Sequence, residues 1–276
     1  MDGIAQPFEP MVASLMIDVF RFTDALVRDP ARSVVHGLRA QDRGSPDFSI
    51  VQAEHEAYIH ALEAAGVRVE RLPALEAFPD SLFVEDPALV FHEGAIALRP
   101  GAPSRFGETA AIVPTLRTRF QTVIDLPGPG YADGGDVLVM PDVVMIGLSD
   151  RTDATGAQAL IEALAQFGKK AVAVTTPPGV LHFKSDCSLI DSDTVLSTPR
   201  LAASGVFSRY RVIFTADGEE AAANALRIND VVLLGEGFPG TTEALLQAGY
   251  QIRLLKTTEI AKIDAGLSCM SLRWRA

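Results

Sequence analysis

The sequence predicts an α/β fold made as one closed ring of repeated modules, and two observations carry that expectation. A hairpin, a helix and a further strand recur along the chain at roughly 45–50 residues, the period of architectures in which each unit buries its faces against the next. Acidic, imidazole and thiol side chains also stand at the same place in successive modules, directly before a hairpin or a last strand. A doubly wound sheet would alternate single strands with helices, whereas here two strands precede each helix.

Between Phe48 and Gly66, the residues Ile50, Val51, Ala57, Tyr58, Leu62 and Ala65 recur at helical spacing, and Gly66 offers a stop. Val67–Leu72 then alternates apolar and charged residues like a half-buried strand. The first full module follows: Ala88–Phe91, a His92-Glu93-Gly94 turn, Ala95–Leu98, a helix over Glu108–Phe120 and a strand over Val123–Leu126. The second has Val137–Met140, a Pro141-Asp142 turn, Val143–Ile146, a helix over Ala154–Phe167 ended by Gly168, and Ala171–Val174. A third hairpin fits Ser188–Leu196. The fourth module is partial: an Asn229-Asp230 turn, Val231–Leu234, a helix over Thr241–Ala248 closed by Gly249, and Gln251–Leu255. Pro127-Gly128-Pro129-Gly130 reads as a tight loop, and no Pro- or Ser-rich linker divides the chain. Residues 21–276 are therefore expected to form a single domain behind an N-terminal extension, residues 1–20, of unknown order.

Composition narrows the function. The chain has 276 residues, 48% hydrophobic and 21% charged, with 22 Gly and 17 Pro, as compact, turn-rich proteins do. A net charge of −11 with no basic stripe opposes binding to a phosphate backbone, so nucleic acid is not an expected partner. No apolar run approaches the ~20 residues that span a bilayer. Met1–Pro10 carries Asp2 and Glu9 where a signal peptide would carry Lys or Arg, so the cytoplasm is the expected compartment. The two cysteines, Cys187 and Cys269, are too far apart for a CxxC pair or a zinc ribbon.

The reactive residues fall in order at module starts. Glu85-Asp86 precede the first hairpin, Asp133-Gly134-Gly135-Asp136 the second, His182 and Asp186 the third, and Cys269 the closing run Met270–Trp274. If every module starts at the ring centre, these groups share one channel. A thiol attacks as the thiolate and needs a base or a cation beside it; His182 is the expected partner. Carboxylates around Cys269 would oppose its ionisation, and a guanidinium substrate supplies the missing cation as well as a planar fork of donors for Asp80, Glu85, Asp86 and Asp133. Other groupings carry less. His55-Glu56 and His60 miss the zinc-protease spacing, since five residues turn the second imidazole roughly 140° from the first; they are expected on a helix surface. His36 and His92 are expected in solvent-facing loops, and Cys187, alternating with apolar residues, as a packed strand thiol. Gly134-Gly135 lacks the spacing of a dinucleotide loop, and no phosphate-binding loop motif occurs.

Asp80-Ser81-Leu82-Phe83-Val84-Glu85-Asp86 resembles a signature of the dimethylarginine dimethylaminohydrolases. Five further runs resemble that family's motifs in the same order: Arg99-Pro100-Gly101-Ala102-Pro103-Ser104-Arg105, Asp133-Gly134-Gly135-Asp136, Gly147-Leu148-Ser149 with Arg151-Thr152, Leu181-His182-Phe183-Lys184, and Gly266-Leu267-Ser268-Cys269-Met270-Ser271-Leu272. The likeness runs from about Phe22 to the C-terminus. It implies a five-bladed α/β propeller (pentein) of ββαβ modules around a central channel. By position it implies Cys269 as nucleophile, His182 as general acid and base, Asp133 as the acid beside His182, and Asp80 and Asp86 as guanidinium-binding acids. Glu85, Arg99 and Arg151 would fix the amino-acid end of the substrate, Leu38 would lie on a lid loop, and the Ile263 carbonyl would meet the α-amino group. The reaction so implied converts a methylated arginine to citrulline and a methylamine, with no cofactor and no metal. Arginine deiminase, an amidinotransferase and a non-catalytic guanidinium binder are the alternatives, and a homodimer is a possible assembly. Asp133 stands where some relatives carry Glu, one methylene longer.

Overall fold

The computed structural model describes residues 19–40 and 42–276; residues 1–18, most of the expected N-terminal extension, lie outside the described residues. Among the described residues, fifteen strands form five three-stranded sheets. In the first module β3 (Ala88–Phe91) pairs antiparallel with β4 (Gly94–Ala97), and β4 pairs parallel with β5 (Val123–Asp125) after the crossover helix α2 (Glu108–Arg119). The second repeats this with β6 (Val137–Val139), β7 (Val144–Leu148), α3 (Ala154–Gln166) and β8 (Ala171–Thr175). The third has β9 (Cys187–Asp191), β10 (Thr194–Ser197), the single turn α4 (Pro199–Ala202) and β11 (Arg211–Phe214). The fourth has β12 (Leu226–Ile228), β13 (Val231–Gly235), α5 (Pro239–Gln247) and β14 (Gln251–Leu255).

The fifth sheet is shared by the first and last described strands. The last strand, β15 (Leu272–Trp274), pairs antiparallel with β1 (Asp24–Arg28), Asp24 opposite Trp274 and Leu26 opposite Leu272. β1 in turn pairs parallel with β2 (Arg68–Leu72) across α1 (Phe48–Ala64). Thus the chain makes the five ββαβ modules of the pentein propeller. The expected modules are present within a residue or two, while β1, β11 and β12 were not anticipated. Each is short, and β1 has its antiparallel partner at the far end of the chain, so no local turn signal announces it.

Burial follows the same plan in every module. The first two strands are buried almost throughout, as in β4 and β10, whereas the third, such as β8, is largely exposed. β15 contacts β3, and β9 contacts both β6 and β12, so the leading strands face one another around the centre. That places the residues before each leading strand at one common mouth. Helix entry is fixed by side chains: Asp47 accepts from Ser49 N and Ile50 N, and Asp153 accepts from Gly156 N at 2.7 Å. One surface expectation fails in α1. His55 is 1% exposed on the Val51–Tyr58–Leu62 face, its Nε2 without a partner among the described residues. The i, i+4, i+7 spacing from Val51 carries His55 inward together with its apolar neighbours. His60, His36 and His92 are exposed as expected.

Candidate active site

The nucleophile candidate sits on a single 3-10 turn, Leu267–Met270, immediately before β15. Cys269 Sγ lies 3.8 Å from Asn224 Nδ2 and 3.9 Å from Ser268 Oγ. Asn224 is aimed by the same turn, because its Oδ1 accepts from Ser268 N at 3.1 Å. Burial, then the charges of Glu85 and Asp86, push the Cys269 thiol up to about 11.

His182 opens the short turn before β9, and its Nε2 lies 3.0 Å from Asp133 Oδ2. Burial alone would lower this imidazole; the Asp86 charge, the Asp133 hydrogen bond and the charge of Asp136 outweigh it and raise His182 to about 9. At neutral pH the site therefore holds a thiol and an imidazolium. Asp133 is fully buried, and its second oxygen accepts from Gly101 N at 2.7 Å, so the shorter acid reaches the imidazole while anchored behind. Gly135 lets the backbone pass against this pair: a Cβ there would lie 2.7 Å from His182 Nδ1 and 2.9 Å from Asp86 Oδ1.

The acids differ in setting. Asp86 would be raised by burial, but Arg105, His182 and the Gly135 N–H, which donates at 3.0 Å, hold its carboxyl below its ordinary value. Asp80 is raised, chiefly by burial, against the opposing charges of Arg105 and Arg151 and the Leu38 N–H at 2.9 Å. Next to Leu38 the backbone runs close to both Asp80 and Ile263: a Cβ on Gly37 would lie 3.1 Å from Asp80 Oδ1 and from Ile263 Cγ2. Arg151 is half-buried beside Asp80, with no ion pair among the described residues. Asp86, Asp133 and His182 offer donor atoms within 4.8 Å of one another. These donors are already engaged, Asp86 by Arg105 and Asp133 by His182.

Two expected substrate partners have partners within the protein. Arg99 donates to the carbonyls of Gly130, at 2.7 Å, and Leu126, at 3.3 Å, and no hydrogen bond joins it to the acids among the described residues. The arginine that reaches them is Arg105, at the other end of the same motif, bonded to Asp86, to Glu108 and to the carbonyls of Asp80 and Phe83. Glu85 is also committed elsewhere. Its carboxylate meets Lys184 at 2.5 Å, Arg273 at 3.1 Å and Ser268 Oγ at 3.2 Å, which ties it to the nucleophile turn. Sequence reasoning also missed Asn224 and Asp136. The latter ties Phe183 N, Ser149 Oγ and Thr152 Oγ1 together at 2.7–2.8 Å and so joins the His182 and Asp133 segments. Its place in the Asp133-Gly134-Gly135-Asp136 run was the available signal. Cys187, fully buried with Sγ donating to Phe183 O at 3.2 Å, is the packed strand thiol expected.

Five modules with a cysteine, a histidine and carboxylates gathered at their centre define the guanidine-modifying penteins, and residues 74–232 match the family described as arginine deiminase. The chain is 37% identical over 254 residues to the N(G),N(G)-dimethylarginine dimethylaminohydrolase of Pseudomonas aeruginosa, a match covering 92% of this chain and 100% of the relative. It belongs to the dimethylarginine dimethylaminohydrolase family. The Streptomyces coelicolor member is 32% identical over 254 residues, covering 91% of this chain and 96% of its own. A solved structure of the P. aeruginosa protein, a cysteine-to-serine variant complexed with citrulline, superposes with a TM-score of 0.89 over 92% of this chain and 100% of its own, at 37% identity.

Proposed function

We propose that this protein hydrolyses Nω-methylated arginine to citrulline and the methylamine through a covalent intermediate on Cys269. The observation that carries this reading is a buried thiol, Cys269, and a buried imidazole, His182, 3.0 Å from Asp133, gathered with Asp80 and Asp86. A guanidinium entering among the carboxylates cancels the field that holds the thiol protonated, so the substrate itself favours the thiolate, and the thiol proton is released to solvent because His182 is already protonated. The thiolate attacks the central guanidinium carbon and forms a tetrahedral adduct. The His182 imidazolium then gives its proton to the departing amine as the C–N bond breaks, leaving an S-alkylthiouronium. Neutral His182 next takes a proton from water, the hydroxide adds to the same carbon, and the C–S bond breaks to release citrulline.

Asp133 holds the imidazole in place, and Asp80 and Asp86 orient the guanidinium. Arg151 is the cation offered to the substrate carboxylate, with Leu38 and Ile263 closing the rim. The catalytic unit is residues 21–276. A reduced nucleophilic thiol suits the cytoplasm, and the assembly we expect is a homodimer, which light scattering on the eluted protein measures. Citrulline formation and amine release, followed across arginine and its mono- and dimethylated forms, test the reaction. Turnover of arginine alone, with release of ammonia, would assign a deiminase instead; bound ligand recovered unchanged would leave a binding protein.

A further inference from the structure

The propeller holds a second cavity, of about 490 Å³, that this chemistry does not use. Its wall includes Ser268 and Ser271, on either side of Cys269 in sequence, but neither Cys269 nor His182 nor Asp133. Glu85 separates the two spaces, one oxygen on Ser268 Oγ and the other on Lys184 and Arg273. The chain as a whole carries a net charge of −11, yet this wall is lined by Arg21, Lys169, Lys184, Arg227, Arg273 and Arg275 against only Glu85 and Glu93.

Pairing within the wall does not remove the excess. Glu93 serves Lys169 at 3.0 Å, and Arg21 turns to Asp230 outside the lining. The two half-buried cations Lys184 and Arg273 share the single carboxylate of Glu85. A buried net positive charge is costly unless an anion meets it. The cations also lie against flat rings: Lys169 is 4.6 Å from the Phe91 centroid, Arg227 is 5.4 Å from that of Phe20, and Arg273 is 6.0 Å from that of Phe22. Trp274 completes this apolar surface. A few hundred cubic ångströms, aromatic walls and a small number of placed charges are the ordinary makeup of a small-molecule site.

We propose that this cavity is a second ligand site, taking a small organic anion whose flat apolar body lies on the rings and whose charge meets the surplus cations. The proposal does not depend on the hydrolase reading, and its test needs no turnover. Trp274 is the chain's only tryptophan, so intrinsic fluorescence reports occupancy directly. Benzoate is the probe, with neutral benzamide as its near-isostere and benzamidine as the cation that the acidic site should prefer.

Benzoate should change Trp274 emission saturably, with benzamide and benzamidine weaker by about tenfold or more, and the response should persist in Cys269→Ser. The double variant Arg227→Gln/Arg275→Gln should weaken benzoate by about tenfold with its unfolding transition unchanged. Should that variant fold poorly, Val90→Phe fills the cavity, leaves every charge in place and should block benzoate. The absence of a saturable response, equal binding of benzamide, or benzoate binding unaffected by either substitution overturns the proposal.

Discussion

At Cys269 two opposing requirements meet: the thiol must be nucleophilic, and the surroundings that recognise a guanidinium are the ones that keep it protonated. With the thiol near 11 and His182 near 9, a standing thiolate–imidazolium pair is not the resting state. Thiolate absorbance in the free protein should accordingly rise only toward pH 11. An unreactive guanidinium ligand should move that titration to lower pH, and a ligand-independent titration would refute substrate-assisted ionisation. Asn224→Asp tests the amide at the nucleophile, because it keeps the acceptor for Ser268 N and replaces the donor near Sγ with an oxygen. We expect a higher thiol titration and a lower kcat with little change in KM; a purely structural asparagine would leave the titration where it is. Arg151→Ala should raise KM by about tenfold or more, the loss of one charged contact, and by less for a substrate without the α-carboxylate. Arg99→Ala, which removes only carbonyl contacts, should lower stability and leave KM unchanged.

Single elements carry costs that the chemistry does not explain. His55 is held neutral in α1, its pKa lowered to about 4, first by burial. Its folded value lies below its unfolded value of 6.5. The unfolded chain therefore binds more protons between these values, and stability is lost as pH falls through that window. The group's share of that loss is roughly 3 kcal/mol. His55→Leu removes the titration and the unpartnered nitrogen together. Chemical denaturation at pH 7 and pH 4.5 should show a flatter pH dependence in the variant, and an equal acid loss in both proteins would place the sensitivity elsewhere. α1 itself was legible from its spacing and the Gly66 stop, where φ is +87°; the Asp47 cap was not read from the sequence. The inward turn of His55 was not, because a polar residue beside the apolar stripe reads as surface until the packing partner is known.

The whole molecule closes where its first and last described strands meet, and this closure also builds the site. β15 carries the nucleophile turn at its start and pairs with β1, while Arg273 on β15 donates to Ser268 O, Ser271 O and Glu85. Asn229, at φ 49°, ties the seam further: its Oδ1 accepts from Phe22 N at 2.9 Å, and its Nδ2 donates to Ala65 O at 2.7 Å and Phe22 O at 3.2 Å. Asn229→Ala should cost about 2–3 kcal/mol, from lost hydrogen bonds and a left-handed backbone that alanine resists. Asn229→Gly, relieved of that strain, should cost less. Thermal unfolding of the two variants measures the difference, and identical losses would mean that the backbone conformation contributes nothing.

By itself the sequence determined the repeated modules and their convergence, since period-2 and helical spacing are local properties that survive without a partner. It also placed Cys269, His182, Asp133 and Asp86 at equivalent starts of modules. Tertiary structure alone decided which of two arginines six residues apart in one motif reaches the acids. Arg105 is drawn in by Asp86 and Glu108, whereas the Arg99 side chain finds carbonyls first. It likewise decided that Glu85 pairs with Lys184 and Arg273, and that the first described strand completes the last sheet. A side chain's residue type fixes what it can bind, but its partner is chosen by distances between segments remote in sequence, and those are set only when the ring closes.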